Sequence, residues 1–528
     1  MSHEPLVFNG INGSTGEYLL ASLTRAELAQ AVVGKEIAGN EHRDRVLTRR
    51  PAPGVDPKEL ATSGWGVVFA HDADPRVREA LGELLEHRRA QAAKTHEHYY
   101  QEYDGDQGLR PGESMRAWLA RHGAGPGPVY PAQVPYYLLL VGDPEMIPLD
   151  FQFQLSTQYA VGRIHFDTWE EYSRYAHNVV EAERSPEARP EIPVSVNGVG
   201  AALRGRPLRT ATGNAPTTAV PPAPSHGTVG VGRQDFGERE GFPAGLPEGR
   251  PRQAVLFGVD NPDDRATYFT TKYLMKPLLE KMENARSGWE VQAVLGEEAT
   301  KARLSHLLGG DETPALLLTA SHGMGFNQDD PRFPGGLGAL LCQDWPGPKK
   351  WRQPIPEDYY FSAEDVSKDA DLRGLVSFHF ACFSAGMPRQ DSFAHESGGE
   401  PRMLGSTAVL APLPQRLLSH PGGGALAVIG HIDRARGFSF IWPGAGSQPQ
   451  TFAAVLQDLM EGYPVGRAAS YLGERYAEIG VSFNVELLKA RRGEGVDEIA
   501  LADLWTAYVD ARSYVILGDP AVRLKLDE

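Results

Sequence analysis

Residues Leu375–Gly386 read LVSFHFACFSAG, and Ala315–Gly323 read ALLLTASHG. Each starts as a mostly apolar run of strand length and ends in small residues. Runs of this kind belong to central parallel strands, which are buried on both faces and do not alternate. In open parallel sheets, functional groups gather beyond the carboxyl ends of the strands. One such end here carries Cys382 and the other His322. A third run, Ala425–Ile429, leads into Gly430-His431-Ile432-Asp433.

The same grammar extends in both directions. Downstream of residue 253, Ala254–Val259, Trp289–Leu295 and Ser513–Leu517 read as further strands. Helices are expected over Thr267–Asn284, bent at Pro277, and over Thr300–Leu308, Phe452–Met460 and Val465–Ala490. Upstream, Gly64–Ala70 (GWGVVFA), Tyr136–Gly142 (YYLLLVG) and Tyr159–Ile164 (YAVGRI) read as strands. A long helical stretch is expected from Pro75 through Tyr103, a connector over Arg110–Gly127, and a helix from Asp167 to Glu183. Two apolar runs end in Gly-Asp-Pro, at Gly142 and Gly518. Alternating strands and helices make an α/β protein. Ser185–Gln253 is rich in Pro, Gly, Ala and Thr and reads as a flexible linker. The expected organisation is a segment 1–63, a first subdomain 64–184, a linker 185–252 and a second domain 253–528.

The chain has 528 residues with 52 Lys+Arg against 68 Asp+Glu, a net charge of −16. Such a surface repels phosphate backbones, so nucleic acid is not the expected partner, whereas basic peptides are attracted. Cys342 and Cys382 are the two cysteines, too few for a disulfide framework or a zinc-finger set. The opening residues show no basic segment followed by an apolar run, and no stretch has the length of a membrane span. The expectation is a cytoplasmic protein away from membranes.

A thiol becomes a nucleophile when a neighbouring base or positive charge favours the thiolate. His322 on an adjacent strand end supplies the base. Gly323 leaves its N–H open to a substrate oxygen, and the N–H of Cys382 is a second oxyanion donor. His379 sits inside the strand before the cysteine and His395 in a polar loop; either could replace His322. Cys342 lacks a strand-end setting. No HExxH, CxxC, Walker A or GxGxxG motif stands in proper context, so no metal and no organic cofactor is expected.

At Thr319-Ala320-Ser321-His322-Gly323 and Phe380-Ala381-Cys382-Phe383-Ser384-Ala385-Gly386 the chain resembles the caspase-fold (clan CD) cysteine peptidases. His322 precedes Cys382 by 60 residues, against about 50 in caspases. Phe380 and Ser384 depart from the caspase signature, which places the resemblance in the gingipain/CHAT-like branch. LLLVGDPEMIP, YAVGRIHF and VILGDPAVRL add to it, so that it spans Val134–Leu524 apart from the linker. The resemblance implies a caspase-hemoglobinase fold: two stacked parallel-sheet subdomains with flanking helices, the first non-catalytic and the second catalytic.

The implied activity is an intracellular cysteine endopeptidase acting on protein substrates, with an activating protease or regulator as a further partner. The rival readings are an inactive caspase-like scaffold or binding module and a non-proteolytic thiol hydrolase. In the caspase fold, two strand ends flank the pocket for the residue before the scissile bond. Here they carry Asp260, Asp263 and Asp264 on one side and Asp433 on the other. Asp263, Asp264 and Asp433 are therefore the expected substrate-binding residues, selecting Arg or Lys. Arg434 and Arg436 could instead favour an acidic residue. With a basic preference, Arg204, Arg206, Arg209, Arg233, Arg239 and Arg250 in the linker become candidates for activating cleavage.

Overall fold

The computed structural model describes residues 9–19, 52, 54–184, 251–284, 288–395 and 401–525, the side chains of 394, 395 and 401 excepted. The six candidate processing arginines of the linker and the side chain of His395 lie outside the described residues.

Among the described residues, ten strands build one central sheet. In chain order they are β1 (Trp65–Phe69), β2 (Tyr100–Tyr103), β3 (Tyr137–Val141), β4 (Ala160–Ile164), β5 (Gln253–Gly258), β6 (Glu290–Leu295), β7 (Leu316–Ala320), β8 (Val376–Phe380), β9 (Ala427–His431) and β10 (Tyr514–Gly518). Across the sheet the order is β2-β1-β3-β4-β10-β9-β8-β7-β5-β6. All neighbours are parallel except β9 and β10. The central strands are buried along their whole length, which explains their unbroken apolar runs. Flanking helices complete the α/β architecture. One of them, Gln450–Met460, stacks Phe452 on Phe378 of β8 at 5.3 Å.

The two expected halves lie edge to edge in this sheet. Because β10 runs parallel to β4 but antiparallel to β9, the strands of the first half run opposite to β5–β9. Their carboxyl ends therefore open on the other edge. His322 and Cys382 share one edge; Gly142 and Gly518 share the opposite one. The seam is tight, since a Cβ on Gly162 would stand 2.1 Å from the Gly518 carbonyl oxygen. Beside it, buried Asp519 accepts from Trp65 Nε1 at 2.9 Å and Arg88 Nε at 2.7 Å. Arg88 also grips Glu183 through both terminal nitrogens at 2.7 Å.

Several local expectations change. Tyr100–Tyr103 is the edge strand β2 rather than the end of a helix; Tyr100 stacks on Trp65 at 5.8 Å. The helical stretch before it divides into Pro75–Ala80 and Gly82–Ala92. Helices Met115–Arg121, Leu149–Leu155 and Glu498–Arg512 occupy stretches not read as helical. The helix from Arg265 to Asn284 widens into a π-turn at Thr271–Met275, just ahead of Pro277. A proline cannot donate to the preceding turn, and its ring crowds the carbonyl four residues back. Among the described residues, no helix is long and apolar enough to cross a membrane.

Candidate active site

The connection after β5 leads to β6 on one side, and the connection after its other neighbour β7 leads to β8 on the opposite side. Such a switch point opens a crevice between the two strand ends. Asp264, in the loop after β5, and His322, directly after β7, meet there. His322 Nε2 lies 2.6 Å from Asp264 Oδ2, and both side chains are fully buried. Asp264 is fixed from the other side by capping the helix that starts at Arg265. It accepts from the N–H groups of Ala266 and Thr267 at 3.2 and 3.3 Å and from Thr267 Oγ1 at 2.8 Å. Its Oδ1 accepts from the Tyr18 hydroxyl at 2.6 Å. Burial alone would raise the Asp264 carboxyl. The charge of His322 and hydrogen bonds from His322, Tyr18 and Thr267 outweigh it and hold the group well below the usual carboxylate range.

With Nε2 donating to Asp264, His322 keeps the lone pair of Nδ1 for chemistry. That nitrogen has no hydrogen-bond partner among the described residues. The parallel register pairs Ala320 with Phe380, so His322 and Cys382, each two residues further on, stand level on adjacent strand ends. Gly323 is pressed against the cysteine backbone: a Cβ there would lie 1.7 Å from the Cys382 carbonyl oxygen and 2.7 Å from its nitrogen. No other residue fits. After the cysteine, Phe383 takes φ 56° and its N–H bonds to the Asp433 carbonyl at 2.9 Å. This left-handed residue turns the chain back along β9, where Ala385 N–H meets the His431 carbonyl at 3.0 Å.

The Cys382 thiol is buried, its sulfur 3.8 Å from the Ala435 carbonyl oxygen. Burial pushes it up to about 12, against the downward pull of Arg434 and Arg436. The thiol is therefore protonated at neutral pH in this conformation. His379 is the packed strand residue its position suggested. It bonds Thr319 Oγ1 at 2.8 Å and Ser377 Oγ at 3.2 Å, and burial lowers it to about 4. Cys342 is equally buried, and desolvation raises its thiol far above the ordinary range.

The three acidic substrate-binding candidates go to three different places. Asp263 faces solvent and pairs with Lys349 at 2.7 Å. Asp264 gives Oδ2 to His322 and Oδ1 to Tyr18. Asp433 is buried, and its Oδ1 accepts from Arg434 N–H at 2.7 Å. Its Oδ2 has no partner among the described residues. Arg434 turns its guanidinium to Asp391, with Nη1 at 2.9 Å. The contact between Asp264 and His322 was hidden in the sequence, because only the strand order brings the two together. Among the described residues, two side-chain groups with metal-ligand chemistry, Glu83/His177/Glu181 and His306/Asp311/Glu312, belong to other elements.

No family model matches the sequence, and no curated protein matches it. Solved structures do. A structure described as a protease is 13% identical, with a TM-score of 0.41, covering 88% of this chain and 79% of that one. The Arg-specific cysteine proteinase gingipain R is 9% identical, with a TM-score of 0.45 and the same coverage. Separase, in its Saccharomyces cerevisiae complex with securin, is 10% identical with a TM-score of 0.29, covering 73% of this chain and 16% of separase. The similarity is one of architecture. It consists of a mixed α/β fold with a large, mostly parallel sheet, and at these scores it assigns no activity.

Proposed function

We propose that the chain is a cysteine endopeptidase of the caspase-like type. Cys382 is the nucleophile, His322 the acid–base group, and Asp264 the residue that orients it. The observation that supports this best is the buried His322–Asp264 contact, level with Cys382 on the adjacent strand end. Asp264 holds the proton of His322 on Nε2 and leaves Nδ1 free to take the thiol proton and return it to the leaving amine. The thiolate attacks the peptide carbonyl carbon. The N–H groups of Gly323 and Cys382 carry the oxyanion. The tetrahedral intermediate collapses to a thioester, expelling the amine, and water hydrolyses the thioester to regenerate the thiol.

Preference for a basic residue before the scissile bond now rests on Asp433, whose Oδ2 can still accept from a substrate donor. Activating cleavage at the linker arginines belongs to the same reading: self-processing divides the wild-type chain between Leu203 and Arg252 and leaves Cys382→Ala intact. The deciding experiment is hydrolysis of a peptide library. Cys382→Ala and His322→Ala should each lose about 10³-fold or more in rate while keeping the fold. Undiminished cleavage by Cys382→Ala removes the mechanism. A library left uncut beside thiol-dependent turnover of small esters favours the non-proteolytic hydrolase instead.

A further inference from the structure

One of the residues packed on the Cys382 thiol comes from a segment far from it in sequence. Asn9–Leu19 forms a narrow loop whose outgoing arm lies across the strand ends. Ile11–Asn12 runs as a parallel strand beside Met324–Gly325, the residues just after His322 and Gly323. Asn9 N–H bonds to the Ala435 carbonyl, and Ile11 N–H to the Gly323 carbonyl, both at 3.3 Å. Gly10, between them, therefore bridges the loops that follow β9 and β7, directly over the thiol. A Cβ on Gly10 would stand 2.8 Å from Cys382 Sγ. The returning arm closes the crevice: Leu19 N–H bonds to the Gly10 carbonyl at 3.0 Å, and Tyr18 reaches Asp264 and sets its ring edge-on to His322 at 5.8 Å. Asn9, Gly10 and Ile11 are themselves buried.

We infer that Asn9–Leu19 is a built-in cover that fills the slot for an extended substrate backbone and must leave before Cys382 can react. The inference rests on the peptidase reading for its consequence, inhibition. The geometry of the cover is independent of it. A strand added along the edge beyond His322 is how an extended peptide docks on exposed backbone groups. The segment already uses the Gly323 and Ala435 carbonyls for this. It is no substrate, because the Gly10 carbonyl is engaged by Leu19. Displacing it would rehydrate the thiol and relieve the desolvation that keeps the proton on sulfur.

The seat of the loop offers a test away from the catalytic groups. A Cβ at Gly13 would meet the Phe326 ring at 2.1 Å. One at Gly16, where φ is 75°, would meet the Gln353 carbonyl oxygen at 2.2 Å. The full-length Gly13→Val/Gly16→Val chain and wild type are treated with iodoacetamide, and both cysteines are quantified by mass spectrometry alongside library hydrolysis. The double variant should alkylate Cys382 at least tenfold faster, leave buried Cys342 unmodified, and cleave peptides faster. Unchanged alkylation of Cys382 overturns the cover. So does parallel alkylation of Cys342, which makes the loop part of the folding core. Fast, selective alkylation with no peptide cut supports the cover and defeats the peptidase reading instead.

Discussion

Asp264→Asn separates the orienting role from the substrate-binding role at the scale of one residue. Asparagine keeps the size but relaxes the choice of His322 tautomer, so kcat should fall by about 10²–10⁴-fold with KM little changed. A substrate-binding Asp264 would instead raise KM for basic substrates alone. The substitution also has a pH signature. A carboxyl held low in the folded chain titrates near about 3.9 when unfolded. Its stabilisation is complete above that value and is lost as pH falls towards the folded pKa. Urea midpoints between pH 3 and 6 should therefore drop less steeply in Asp264→Asn than in wild type. His379 gives the contrasting case. His379→Asn should cost about 1–2 kcal/mol through its hydrogen bonds to Thr319 and Ser377 and leave kcat per folded molecule near normal. Loss of turnover there would move the base from His322 to His379.

At the scale of elements, the strand ends make the site, and Gly323 is where two of them touch. With backbone 1.7 Å from the place of its Cβ, Gly323→Ala must push β7 and β8 apart at their ends. The expected result is a stability loss of at least about 1–3 kcal/mol in urea unfolding together with loss of peptide hydrolysis. Full activity would show that the two ends need not touch. Most of these strands were legible, because a strand buried on both faces has to be apolar throughout, as ALLLTA and YYLLLVG are. The edge strand Tyr100–Tyr103 was not: YQEY carries no apolar run and follows helical residues without a break. The helix Glu498–Arg512 was missed because its apolar residues do not form one clear stripe. His322, Gly323 and Cys382 could be singled out from strand ends alone. The partner of His322 and the residues over the thiol could not. Asp264 depends on the order of strands in the sheet, and Gly10 on a two-residue pairing too short to leave a periodic pattern.

For the whole molecule, the continuous sheet makes the first half a support for the second. The seam depends on Gly162 against Gly518 and on Arg88, which ties Asp519 to Glu183. Arg88→Met leaves buried Asp519 without its cation and half-buried Glu183 with only His87 and Gln91 beside it, and should destabilise the fold by about 3–5 kcal/mol. Calorimetry should show one lowered transition over both halves; two separated transitions would mean that the halves fold independently. The central claim concerns Cys382, His322 and Asp264 on the opposite edge, and the loop that covers them. Its most direct test is hydrolysis of an unbiased peptide library by the Gly13→Val/Gly16→Val chain, with Cys382 present or replaced by Ala. The account predicts internal peptide-bond cleavage with Cys382 and loss of about 10³-fold or more without it. Equal cleavage by both chains, or none by the Cys382 chain while its thiol is rapidly alkylated, would contradict it.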